Sequence, residues 1–337
     1  MPELPEVETI VRDLRARILG RRIRAVWTSG KPLRLARPID VEGLRRVVLG
    51  QRVEAVRRLG KYVLIDVARG AAAAGARGGG GPGPPLPGVL VHLGMSGRLV
   101  LEPGDAPRGA HTHLVLALDD AQELRFRDPR RFGWIAAGDP VDGCAELEAM
   151  GPDPLGALTA AALGEALAGV RAPIKAFLLD QRRIAGIGNI YACEALFRAG
   201  LHPAMPAGRT VRRADRLLVA IREALELGIQ NRGTTLRDYV DALGDGGRNA
   251  GALLVYGRAG QPCRVCGTPI RRRVDAGRSS FLCPRCQPAP RRAPVASAQS
   301  RRRRRSKKAL SKAADSAPRT PGTTSTRWLR RRSSSSW

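Results

Sequence analysis

Two places in the chain concentrate residues able to do chemistry. The first is its start, Met1-Pro2-Glu3-Leu4-Pro5-Glu6. If Met1 is removed, Pro2 becomes a terminal secondary amine with the Glu3 carboxyl beside it. An α-amine has a reference pKa of about 8, far below that of a lysine side chain, so an unprotonated fraction exists near neutrality. Such an amine can act as a nucleophile, and an adjacent carboxyl can move protons. The second place is Cys263-Arg-Val-Cys266 and Cys283-Pro-Arg-Cys286, two pairs separated by sixteen residues. That spacing predicts one tetrahedral Zn2+ held by four thiolates. Four thiolates leave no open coordination position, so the metal is structural. No organic cofactor is expected.

Between the pairs, GTPIRRRVDAGRSSF reads as a β-hairpin turning near Asp275-Ala276-Gly277. Arg264, Arg271, Arg272, Arg273 and Arg278 load it with positive charge, which suits contact with phosphates. The plainer alternative is a structural zinc module with a solvated face. Cys144 and Cys193 stand alone, so the cysteines do not form a disulfide framework.

These groups need elements to position them. In PEVETIVRDLRARILG, Val7, Ile10, Val11, Leu14 and Ile18 share one face, with acids early and arginines late, which predicts a helix entered through Pro5 and Glu6. Short β-rich stretches follow: RIRAVWTSG, VVLGQRVEAVRRLG, KYVLIDVA, GVLVHLGMSGRLVL, THLVLALDD and AQELRFRDPRRFGWIAA. Gly, Pro and Asp-Asp breaks between them predict an antiparallel sandwich or barrel rather than alternating βαβ units. The Gly/Ala/Pro-rich run 69–88 cannot build a core and is expected to be a disordered insertion. From about Glu146 the period becomes helical: LGALTAAALGEALAG, RAPIKAFLLDQRRIAG, NIYACEALFRAG and RRADRLLVAIREALELGI. The expected domains are therefore 2–136, a linker at 137–150, a helical domain at 151–260, a zinc module at 261–288 and a disordered basic tail at 289–337.

The formal net charge of the 337-residue chain is +28. Residues 291–337 carry fifteen Lys/Arg against Asp315 alone, so the tail and the remaining 290 residues contribute +14 each. A polyanionic partner is the natural expectation, with solubility in an arginine-rich proteome as the alternative. RRRRRSKK in the tail can contact phosphates without reading sequence. No 18-residue apolar run is present, and the start lacks a basic region followed by an apolar one, so neither a membrane span nor export is expected.

Five segments, MPELPEVET, HLGMSGRL, RFRDPRRFG, IAGIGNIYACEALFRAGLHP and CRVCGTPI…SSFLCPRCQ, together resemble bacterial formamidopyrimidine-DNA glycosylase, in one consistent order over roughly residues 2–288. The resemblance implies an α+β, two-domain DNA glycosylase. Its parts would be an N-terminal β-sandwich with a catalytic N-terminal helix, a C-terminal helix–two-turns–helix domain and a zinc-finger hairpin. It implies excision of 8-oxoguanine and formamidopyrimidines from duplex DNA and cleavage at the abasic site by β,δ-elimination. Pro2 would be the nucleophile and Glu3 the proton donor, with Glu6 in support. Lys61 and Arg278 would stand at the scissile phosphates, the latter with Asn189 as a clamp. Lys175 would lie near the damaged nucleotide. Met95, Arg130 and Phe132 would fill the helix when the lesion leaves it, and His92 would serve the core or a phosphate. Gly186 and Gly188 would permit close approach to DNA, with the following helix aiming its amides at a phosphate.

The resemblance also implies that QNRGTTLRDYV covers the extruded base. Here the chain departs from the family pattern twice: Arg232 stands where a glycine is usual, and Asn249-Ala250-Gly251 replaces an aromatic and a glutamine. Arg232 would stiffen that loop or add a phosphate contact. A monomer in the bacterial cytoplasm, working on chromosomal DNA, is the implied setting. Two alternatives remain: a glycosylase of the same superfamily directed at oxidised pyrimidines, and a non-catalytic, zinc-containing DNA-binding protein.

Overall fold

The computed structural model describes residues 1–33, 38–69 and 85–290. Most of the expected insertion and nearly all of the expected tail lie outside those residues.

The chain enters through α1 (Leu4–Ile18). Its apolar residues from Val7 to Ile18 are buried in one core, as the periodicity predicts, while Leu4 belongs to a second core. Two four-stranded antiparallel sheets share one core with α1. One runs in the order β1 (Ile23–Thr28), β6 (Thr112–Leu118), β7 (Gln122–Arg127), β5 (Arg98–Pro103). The other runs β2 (Val53–Leu59), β3 (Tyr62–Val67), β4 (Gly88–His92), β8 (Trp134–Gly138). Val56, Ile65 and Val91 from the second sheet meet Leu114, Leu116 and Phe126 from the first, so the arrangement is a sandwich. Each such side chain taken from water contributes about 1.5–3 kcal/mol.

One sequence expectation fails here. The VVL of VVLGQRVEAVRRLG is not strand but the end of α2 (Val41–Val48). The Asp40 side chain accepts from the Gly43 amide and caps that helix, and Leu44 and Val48 bury one face four residues apart. Cap and spacing outweigh the β-branched pair.

After β8, Val141 and Leu147 pack on Leu64, Leu90 and Trp134, covering the outer face of the second sheet. Past α3 (Ala145–Glu148), the helical part contains α4 (Ala160–Leu167), α5 (Ile174–Leu179), α6 (Asn189–Arg198) and α7 (Ala214–Gln230). The helix expected through RAPIKAFLLDQRRIAG stops at Leu179. Asp180 leaves helical conformation and its carboxylate takes the Arg182 amide, so two turns separate α5 from α6. Finally β9 (Arg271–Asp275) and β10 (Arg278–Leu282) form the expected hairpin. Ala276 and Gly277 both have positive φ, 47° and 74°, as a two-residue hairpin turn demands.

Candidate active site

Pro2 is buried just before α1 and lines a cleft of about 360 Å³. Met95, Ser96 and Arg130 of the sandwich face Thr234, Leu236 and Tyr239 of the segment after α7 across it, and Met1 stands in it beside Pro2. Glu3 is 3% exposed. Its Oε1 accepts from the Ile190 amide at 2.9 Å and its Oε2 from the Tyr191 amide at 3.2 Å. The N-terminus of α6 thus holds this carboxyl group through two backbone amides. This corrects one expectation: these helix amides are engaged by Glu3 and are not free for a phosphate.

The glycines of IAGIGN serve the same docking. A Cβ on Gly188 would come within 2.2 Å of Glu3 Cδ, and one on Gly186 within 2.7 Å of Leu4 Cδ1. Leu4 also donates its amide to the Gly186 carbonyl at 3.0 Å. Both glycines allow the start of α1 to lie against the two turns.

Glu6 sits beneath Pro2 and Glu3. It accepts from the Glu3 amide at 2.8 Å, the Tyr191 hydroxyl at 2.8 Å and the Thr234 amide at 2.7 Å. Burial, then the Glu3 charge, push its pKa up to about 7.

Lys61 occupies the β2–β3 turn and is 6% exposed. Gly60 beside it packs on Met150 and the Gly186 amide, which brings this turn to the helical part. Burial pushes the Lys61 ammonium down; Glu3 opposes that shift and Arg278 adds to it. Lys61, Glu3 and Arg278 therefore share one electrostatic neighbourhood, although Arg278 is exposed at the start of β10. Asn189, the first residue of α6, donates from Nδ2 to the Ser279 carbonyl at 3.0 Å, while its buried Oδ1 has no protein partner.

Lys175, expected near the damaged nucleotide, is engaged within the protein. It is 2% exposed, and its Nζ donates to the Ser279 carbonyl at 2.8 Å and to Ser280 Oγ at 2.7 Å. It fastens the hairpin to α5. The reason is topological: the hairpin folds back over this helix, which the order of residues does not reveal.

Met95 and Phe132 are 43% and 46% exposed. Arg130 lies over the Phe132 ring at 4.6 Å. Gly94, at φ 62°, lets the Met95 turn pass against the Phe132 backbone, where a Cβ would meet Phe132 C at 2.4 Å. Asp128 joins the two turns: it accepts from Ser96 Oγ at 2.6 Å and from the Gly133 amide at 2.6 Å. Sequence reading missed Asp128, although an aspartate opening the DPRRFG turn is a familiar side-chain-to-backbone signal. His92 closes β4, its Nδ1 accepting from the Gly94 amide at 3.1 Å and its ring packed 4.9 Å from Tyr62.

The sulfurs of Cys263, Cys266, Cys283 and Cys286 all lie within 4.8 Å of one another. The nearest pairs are 3.4, 3.5 and 4.0 Å apart. A tetrahedron of thiolates at the usual Zn–S distance has edges of about 3.8 Å, so the cluster fits one structural Zn2+. Amides of Val265 and Cys286 point at Cys263 and Cys283 sulfurs, as they do around a bound thiolate.

Three family models tile this architecture: the formamidopyrimidine-DNA glycosylase N-terminal domain over 1–135, its H2TH domain over 150–240, and a zinc finger found in FPG and IleRS over 260–289. The chain belongs to the formamidopyrimidine-DNA glycosylase family. A family member from Rhizorhabdus wittichii is 47% identical over 291 residues, covering 85% of this chain and 100% of the relative. A Lactococcus lactis variant solved with Fapy-dG containing DNA superposes with a TM-score of 0.74 at 30% identity, covering 86% of this chain and 100% of that one. The Lactococcus lactis protein with abasic-site DNA gives 0.73 at 30% identity, covering 85% and 100%. This glycosylase therefore carries extra length that these relatives lack.

Proposed function

We propose that the protein excises oxidised purines, 8-oxoguanine and formamidopyrimidines, from duplex DNA and cleaves the strand at the resulting abasic site. The observation that carries this reading is the placement of Pro2: buried, in a cleft between the sandwich and the α7 loop, with Glu3 fixed beside it. The family relatives solved with Fapy-dG and with abasic DNA support both halves of the activity.

In this reading, removal of Met1 frees the Pro2 amine. Its nitrogen attacks C1′, the bond from C1′ to the base breaks, and the base leaves with a proton. Glu3 takes the proton shed by the Pro2 nitrogen and passes it to the sugar ring oxygen, opening the ring to an iminium. The iminium withdraws electrons, so loss of a proton from C2′ expels the 3′-phosphate and a second elimination expels the 5′-phosphate. Lys61 and Arg278 offer positive charge and protons to those leaving groups, and Asn189 and His92 contact the backbone. Met95, Arg130 and Phe132 fill the space vacated by the extruded nucleotide. Their exposure favours this role over a core role. We read the enzyme as a monomer acting on chromosomal DNA in the bacterial cytoplasm; among the described residues no helix is long and apolar enough to cross a membrane.

Borohydride trapping on an 8-oxoguanine duplex tests the reading. The Met1-free protein should form a covalent adduct, and a form with a non-cleavable N-terminal extension should form none. No adduct from correctly processed protein overturns the enzyme assignment. Much faster cleavage of a thymine glycol duplex would overturn the purine preference instead.

A further inference from the structure

One wall of the cleft over Pro2 is the segment containing Thr234, Leu236, Arg237, Asp238 and Tyr239. Its ends are held by residues that the proposed chemistry does not use, and these include both departures from the family pattern. Arg232 has φ 59°, a left-handed conformation that glycine adopts freely and that strains a residue with a side chain. Its guanidinium spans two carboxylates, donating from Nη2 to Asp13 of α1 at 2.7 Å and from Nε to Asp241 at 3.0 Å. Asp241 is fully buried, and its other oxygen accepts from the Leu243 and Asp245 amides. Asn249, 2% exposed, donates from Nδ2 to the Thr234 hydroxyl at 2.9 Å and from its amide to the Gly233 carbonyl at 3.0 Å. Its Oδ1 accepts from Asn231 at 3.1 Å. Thr235 closes the segment on itself through the Tyr239 carbonyl and the Gly247 amide. Leu236, Arg237 and Asp238 are left as an exposed tip.

We propose that Arg232 and Asn249 are positioning residues that hold this wall in its base-receiving shape before DNA binds. Arg232 fastens the wall to α1, the helix that follows Pro2 and Glu3, so that wall and nucleophile keep one geometry. Asn249 fixes Thr234, the residue that also meets Glu6. A wall ordered in advance does not lose conformational entropy when a base enters, so it favours binding and selects bases by fit. The strain at Arg232 is offset by its two ion pairs, and neither pair alone reaches both the helix and the buried acid.

This inference rests on the reading of the cleft as the base pocket, and the experiment separates the two. Arg232→Gly removes the brace at a backbone angle that glycine accepts, and Arg232→Gly with Asp241→Asn also leaves no bare buried charge. Amide exchange in the DNA-free protein should become about tenfold faster over 233–239 in both variants. KM on an 8-oxoguanine duplex should rise roughly fivefold, while strand cleavage at a preformed abasic site, which has no base to receive, should stay within about twofold of the parent. Arg232→Lys, reaching one carboxylate, should recover part of the protection. Asn249→Ala should speed exchange at 233–235, and combined with Arg232→Gly should add less than the two separate effects. Unchanged exchange overturns the proposal, and so does equal loss on both substrates, which marks a general structural role. A parent protein inactive on both duplexes would sink the base-pocket reading, with exchange still judging the brace.

Discussion

Glu6 is a carboxyl group whose surroundings set its proton. Three donors from three segments converge on it, yet burial and the neighbouring Glu3 raise its pKa from 4.5 to about 7. The folded chain therefore holds this proton more tightly than the unfolded chain does. Between those two values the native state binds more protons, so stability falls as pH rises through the window. The difference corresponds to about 3 kcal/mol for ionised Glu6. Urea unfolding of the parent and of Glu6→Gln should show it: the variant is less stable at pH 5, where it lacks one acceptor, and the gap closes by about 3 kcal/mol toward pH 8. Parallel curves would mean that Glu6 does not titrate there. Gly188 makes the complementary point. Its φ of −122° suits any residue, so its need for hydrogen is purely steric. Gly188→Ala would drive the Glu3 carboxylate off the α6 amides, and borohydride trapping should slow by about 100-fold or more in a chain that still folds. Trapping at the parent rate would show that the position of Glu3 is not critical.

At the scale of elements, the zinc hairpin and α1 behave differently. The hairpin is fastened at its tip side by Lys175 and Asn189 and at its base by the four cysteines. Cys283→Ser should lower bound zinc from about one per chain and weaken duplex binding about tenfold, read by metal analysis and by a titration with undamaged DNA. Full zinc content with full binding would overturn the assignment of the site. The spacing of the cysteines was enough to find this element, the helical period of apolar residues found α1, and β-rich runs broken by Gly, Pro and Asp found most strands. Local signals failed where two of them competed. The Val47-Val48 pair suggests strand, but the Asp40 cap and the burial of Leu44 and Val48 decide for helix. Lys175 is expected near the damaged nucleotide from the family resemblance alone; only the fold places Ser279 and Ser280 over it.

The whole molecule divides its charge evenly, +14 in residues 291–337 and +14 in the rest. The relative from Rhizorhabdus wittichii is covered completely by 85% of this chain, so the tail's charge is an addition to a family-length body. Removing residues 291–337 should make the salt dependence of undamaged-duplex binding shallower, by roughly 0.9 in log–log slope for each phosphate that the tail neutralises. An unchanged slope would show that the tail does not engage DNA. The sequence by itself determined the reagents: a proline–glutamate start, a four-cysteine metal site, glycine-flanked turn motifs and an excess of positive charge. Each depends on residue identity or on spacing within a few turns of chain, and such signals survive without a fold. Tertiary structure decided what those reagents meet. Glu3 and the α6 amides are 187 residues apart at Ile190, and Arg232 lies 219 residues from Asp13. No local pattern encodes contacts at that range. They arise because Leu4 is buried in the helical core while the rest of α1 is buried in the sandwich, and that shared helix brings the proline at its start into the cleft.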